Sequence, residues 1–334
     1  MNKKQVYTIV VSCILIVGFM IYYKSFKTTS AVADYRIALF VPAEHPSMTD
    51  ILNGFKETMN TSSDKKYVFD EYNANGNPTL LRAQADEIVQ HAYDLVFTVG
   101  AQCSQSIFEL SKKRQSIMPE VFTAVDDPVA MGIITSLVRP GGMVTGTNDE
   151  DDYKQQIDAL LRVKPNVKTI LLVYNPAQGR LEKRCENLEK VLQAKNINLQ
   201  IVTVAHQNEI TQKVANFLTG VDVLMILTDH TTVAGVDSLI SLCGRYGVTL
   251  FTSELNSGDK GAALSFGVFQ KDYGVLGAQL AKRILIDKES PASIAVHPLE
   301  QVYLKINTKT MEQQGLHLTQ EQLAQLKNEG VIVV

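Results

Sequence analysis

From residue 35 onward the chain alternates between two hydrophobic periods. Short apolar, β-branched runs occur at Tyr35–Val41, Asp94–Gly100, Glu120–Val125, Lys168–Tyr174, Leu199–Val204, Val221–Leu227, Val248–Thr252 and Ala262–Val268. Each has the length and bulk of a buried strand. Between them the apolar positions fall three and four apart, as at Leu81, Ala85, Ile88 and Val89 within 80–91, which predicts a helix with one buried face. The same spacing predicts helices over 47–59, 153–162, 181–195, 209–218, 233–246 and 273–285. Near the end, Thr319-Gln320-Glu321-Gln322 has the form of a capping box, opening a helix that runs to about Asn328 before Gly330. Strand alternating with helix implies parallel strands in an α/β fold. There are too many strands for one small sheet, so two lobes are expected.

The boundary between lobes is expected in the polar stretch Gly146–Asp152, which follows the Pro140-Gly141-Gly142 turn. A second crossing is expected through Phe269 and Gln270 into the helix near Asp272, and a third near 302–306. This assigns 34–146 plus 271–300 to lobe 1 and 147–270 plus 301–334 to lobe 2. No low-complexity linker and no close internal repeat interrupts the pattern.

The first 33 residues behave differently. Lys3 and Lys4 precede an apolar run from Val6 to Tyr23, about 18 residues and near the lower limit for a membrane-spanning helix. Ala31-Val32-Ala33 then offers a small-residue cleavage pattern. The segment reads either as a retained membrane anchor, which the length of the run favours, or as a signal segment cut before Asp34. Val10-Val11-Ser12-Cys13 loosely resembles an acylation box, but the apolar residues lie on the wrong side of Cys13. In each case residues 34–334 are expected outside the cytoplasmic membrane, anchored, periplasmic or secreted.

Composition narrows the function classes. The chain has 334 residues, 45% hydrophobic, 20% charged, with a formal net charge of −3. That is a folded domain with no electrostatic footprint for nucleic acid. The four cysteines, Cys13, Cys103, Cys185 and Cys243, are too far apart for a zinc spacing. Three of them follow the apolar run, so at least one thiol is expected to be free. No G-x-G-x-x-G follows the first strand, and no P-loop or G-x-S-x-G elbow is present, which removes the usual scaffolds of nucleotide-dependent enzymes and serine hydrolases. No cofactor and no metal is expected.

The chemistry concentrates where strands end. His45-Pro46-Ser47, Asp127-Pro128, Asn175-Pro176 and Thr228-Asp229 each place a short polar residue before a helix. Singly, such turns are helix caps with proline at the first helical position. Together they line the carboxyl edges of parallel strands, where open α/β folds bind ligands. Two such edges facing across a hinge make a cleft rimmed by helix amino termini, suited to a carboxylate.

These turns occur in a recognisable order. Ala43-Glu44-His45-Pro46 with Gly54-Phe55, Asn73 to Pro78, Val125-Asp126-Asp127-Pro128-Val129, Pro140 to Gly146, Tyr174-Asn175-Pro176, Thr228-Asp229-His230-Thr231, Gly261 to Leu264 and Ile306-Asn307 resemble the ABC-transporter substrate-binding family, whose members include aromatic-amino-acid binders. The resemblance covers nearly all of the exported part. It implies a type I periplasmic-binding-protein fold, two Rossmann-like lobes joined by three crossovers, no catalysis, and a permease and its ATPase as partners. Asp126, His230 and Gln102-Cys103-Ser104 depart from the family pattern at pocket positions, so the ligand is not carried over with it.

For an α-amino acid ligand, Ala101, Gln102 and Ser104 offer donors to the carboxylate, and Asp229 or Glu254 an acid to the ammonium. In place of tryptophan, which is absent, Tyr174, Phe122 and Phe269 are candidate stacking platforms. His45, Asp126, Asp127, Asn175 and His230 complete the candidate set. Asp126 beside Asp127 suggests metal or acid–base work only if another acid or histidine joins them. The rival function is a membrane-tethered sensor that reports ligand to a partner receptor.

Overall fold

The computed structural model describes residues 33–61, 65–91, 93–149, 152–177 and 181–334. The apolar run, Cys13 and Ala31-Val32 lie outside the described residues. Among those described, no helix is long and apolar enough to cross a membrane.

The first lobe runs β1 (Tyr35–Val41), α1 (Pro46–Asn60), β2 (Tyr67–Asn73), α2 (Pro78–Gln90), β3 (Leu95–Val99), α3 (Ala101–Arg114), β4 (Glu120–Val125) and β5 (Val144–Asn148). Its five strands are parallel in the order β2-β1-β3-β4-β5. The second continues with α4 (Tyr153–Val163), β6 (Thr169–Tyr174), α5 (Leu181–Ala194), β7 (Asn198–Thr203), α6 (Ile210–Ala215), β8 (Val223–Ile226), α7 (His230–Ala234), α8 (Val236–Tyr246), β9 (Thr249–Thr252), α9 (Asn256–Lys260) and β10 (Leu264–Gly267). Then α10 (Gln270–Leu285) packs on α1, back on the first sheet. After it come β11 (Tyr303–Ile306), α11 (Gln320–Asn328) and β12 (Ile332–Val333), which complete a seven-stranded sheet in the order β12-β11-β10-β9-β8-β6-β7. The chain thus passes between sheets after β5, after β10 and before β11.

Both sheets are covered on both faces, which explains their uninterrupted apolar strands. In β1, Ile37 and Leu39 face Phe55, Phe97 and Ile284, while Ala38 and Phe40 face Leu81, Ile88 and Ile107. In β6, Ile170 and Leu172 join one core and Leu171 and Val173 the other. Helices α1 and α10 approach unusually closely because Gly54 and Gly274 lie at their contact. A Cβ at 274 would collide with the Ile51 carbonyl.

Several elements depart from the pattern. The strands β2, β5 and β11 carry no apolar run, and β12 is only two residues long. Strand β2 holds Asp70 and Glu71 at a sheet edge, and β5, Val-Thr-Gly-Thr-Asn, is fully buried because its neighbours cover it. The expected helix over 233–246 is two helices meeting at Gly235, where Asp229 starts a separate short turn. The helix over 209–218 contracts to 210–215 behind a 3-10 turn. Strand β11 runs antiparallel to β10, against the all-parallel expectation. The third passage returns from the other lobe and enters that edge in the reverse direction. Cys103, Cys185 and Cys243 are buried free thiols.

Candidate functional site

The three passages enclose a cleft of about 390 Å³. Its walls are Asn148, Asp149 and Asp152 from the first passage, Gly267, Val268 and Gln270 from the second, and Pro298, Leu299, Glu300 and Val302 from the third. Tyr273 and Phe266 supply aromatic surface, and Thr228, Ser253 and Glu254 close it from the carboxyl ends of β8 and β9. A smaller cavity of about 180 Å³ adjoins, between Asp126 to Val129 of the first lobe and Lys183, Arg184 and Asn187 on α5. Asn148, Asp149 and Arg184 line both.

Local hydrogen bonds hold these walls. The Tyr273 hydroxyl donates to Asp149, tying α10 to the first passage. Gln156 Nε2 donates to Ser253 Oγ at 2.6 Å, and Arg184 Nε donates to the Tyr153 hydroxyl at 3.1 Å. Asp152 caps α4 by accepting from the Gln155 amide. Asp126 and Asp127 owe their position to a bulge in β4, where Ala124 takes φ 54° and the register with β5 shifts.

The expected site residues fall in different places. Asp126, Asp127 and Glu254 line the cavities. Asp127 also accepts from the Ala130 amide, and Glu254 from the Asn256 and Ser257 amides at the start of α9. His45 caps α1, its Nδ1 accepting from the Ser47 amide. Ala101 and Gln102 open α3, Gln102 exposed at the carboxyl edge of the first sheet. Ser104 points inward: its hydroxyl and that of Thr98 both donate to Glu120 Oε1 at 2.8 Å. Asp229, 4% exposed, receives the Thr232 amide and hydroxyl on its two oxygens. Asn175 takes the Ala177 amide and donates to Thr231 and the Ala205 carbonyl. Tyr174 is buried against Cys185, and burial pushes its hydroxyl up to about 12. His230 lies in a shallow hollow with His206 and Ala234. Phe269, 40% exposed, leans on Tyr303 with ring centres 4.7 Å apart, and Phe122 is core.

Sequence reasoning passed over Arg184, Gln156, Tyr273 and Asn148 as site residues. The first three sit on helix faces with no local signature. Asn148 lay within the polar stretch read as a boundary, and that polarity was the available signal.

Residues 36–330 match the model of a family described as ABC transporter substrate binding protein. The chain belongs to that family. A substrate-binding protein of this kind captures a solute without transforming it, and works outside the cytoplasm. Among relatives of this binding protein is a tyrosine-binding protein of Clostridioides difficile (strain R20291), 24% identical over 292 residues, covering 86% of this chain and 82% of the relative. A ligand-free, open substrate-binding protein with adhesive properties from Clostridium difficile superposes with TM-score 0.77 at 21% identity, over 90% of this chain and 99% of that one. An ABC domain from Streptococcus pneumonia in complex with L-Trp gives 0.73 at 22%, over 90% and 100%. At these identities the two structures bear on the fold alone.

Proposed function

We propose that this binding protein captures an aromatic amino acid between its lobes and delivers it to the permease and ATPase of an ABC importer. The observation that carries the reading is the cleft at the three passages. Its volume of about 390 Å³ lies in the range of small-molecule sites, and it combines aromatic walls with a guanidinium and carboxylates. The name of the tyrosine-binding relative favours the aromatic class. The first lobe keeps β5 whole, to Asn148, so the boundary expected at 146 moves past the end of that strand, and the three passages between the lobes act as a hinge. A ligand touching both lobes stabilises the closed form, which is the form a permease recognises. His45, Ala101 and Gln102, on the rim of the first lobe, reach the ligand on closure. Residues 6–23 hold the protein at the outer face of the cytoplasmic membrane unless the segment is cleaved.

The test is a thermal-shift screen of the full-length protein in detergent against the twenty amino acids, sugars and nucleosides. Ligand at a hundred times Kd adds about 2.7 kcal/mol, a shift that such a scan resolves. Phenylalanine, tyrosine or tryptophan should raise the melting temperature. A response to sugars or nucleosides and to no amino acid refutes the reading.

A further inference from the structure

Asn148 carries a feature of the cleft that the fold does not explain. It is the last residue of β5, 2% exposed, and it lines both cavities. Its Oδ1 has no hydrogen-bond partner among the described residues. Burying an acceptor unpaired is unfavourable, and a leucine, branched in the same way, would carry no such cost. Such a group at a cavity wall is satisfied when a ligand brings a donor.

The charges around Asn148 indicate which donor. Asp126 and Asp127 from the first lobe and Asp149 next in the chain line the smaller cavity on one side; Lys183 and Arg184 line it from α5 on the other. Asp127 accepts from the Ala130 amide and Asp149 from the Tyr273 hydroxyl, bonds that fix where the two carboxylates sit. The Asn148 Oδ1 can only accept, so an anionic oxygen brought to it would be repelled, whereas an ammonium supplies the missing donor beside the carboxylates of the first-lobe side. Arg184 also lines the larger cavity, with its Nε anchored on Tyr153.

We propose that Asn148 receives the amino group of the ligand and that Arg184, across the cleft, receives its carboxylate. The ligand class is then a zwitterion whose two ends bridge the first passage and the second lobe, so recognition and closure are one event. This rests on the reading of the cleft as the ligand site.

The experiment is calorimetric titration of the full-length protein with L-tyrosine, tyramine and 3-(4-hydroxyphenyl)propanoate, for the wild type, Asn148→Leu, Asn148→Asp and Arg184→Gln. The wild type should bind L-tyrosine at least tenfold more tightly than either analogue. Asn148→Leu should lose tenfold or more on L-tyrosine and tyramine and less than twofold on the propanoate. Arg184→Gln should show the opposite pattern. Asn148→Asp, which keeps an acceptor, should retain L-tyrosine. Unliganded Asn148→Leu should melt no lower than the wild type; a lower melt, or equal losses on all three ligands, makes Asn148 a structural residue and overturns the inference. A wild type that ignores aromatic amino acids but binds another amino-group solute with the same Asn148 dependence removes the aromatic reading and keeps this one. A preferred ligand with no amino group overturns both.

Discussion

Replacing Glu120 with glutamine should remove an alkaline weakness from the first lobe. Glu120 opens β4, is 2% exposed, and accepts the Thr98 and Ser104 hydroxyls on Oε1 while Oε2 has no partner among the described residues. Burial pushes its carboxyl up from 4.5 to about 8, with the two hydroxyls pulling the other way. In the unfolded chain the group ionises near pH 4.5, whereas in the folded protein it keeps its proton to about pH 8. Its contribution is therefore fully present below pH 4.5 and declines as the pH rises towards 8, by about 1.4 kcal/mol per unit. By pH 7 the cumulative loss is about 3 kcal/mol, a ceiling, since any local opening that wets Glu120 lets it ionise at lower cost. Glutamine has the shape of the neutral acid and cannot ionise. Urea titrations of the full-length wild type and Glu120→Gln between pH 4 and 8.5 read this directly. The stability difference should be small at pH 4 and move in favour of the variant by roughly 2–3 kcal/mol at pH 7. A difference independent of pH would show that Glu120 titrates alike in both states, and would refute the argument.

Two further outcomes follow from the packing. Gly274→Ala should cost about 2–3 kcal/mol by urea unfolding, because the added methyl meets the Ile51 carbonyl and forces α1 from α10; an unchanged midpoint would mean the helices part freely. Asp229→Ala should lower stability by about 1–2 kcal/mol through loss of the cap on α7 while ligand affinity stays within twofold, and a tenfold loss of affinity would make Asp229 a ligand contact.

How much of this was visible in the chain depends on how local the cause is. The βα alternation was legible because a strand buried on both faces must be apolar throughout, so Tyr35–Val41 and Thr169–Tyr174 stand out without any partner. The caps at His45, Asp229 and Thr319 were equally open to reading, since a cap bonds amides two or three residues away; those at Asn77 and Asp152 were passed over. Strands β2, β5, β11 and β12 were not, because their pairing is set by neighbours distant in sequence and their own residues are too polar or too few to signal it.

The site divides in the same way. Sequence determined that strand ends carry polar turns in a family order, which sufficed for the α/β two-lobed class and for a solute-binding role. Only the tertiary structure decided which polar groups are spent within the fold. Ser104 turns into the core toward Glu120 and Asp229 closes on Thr232, while Asn148 is left with an unpaired oxygen at the cleft. Whether a hydrogen-bonding group is satisfied depends on atoms brought near by long-range packing, and Arg184, Asn148 and Asp149 line the same cavities because two lobes fold against three passages of chain. A sequence shows which groups can bind; the packing of distant segments leaves some of them free to do so.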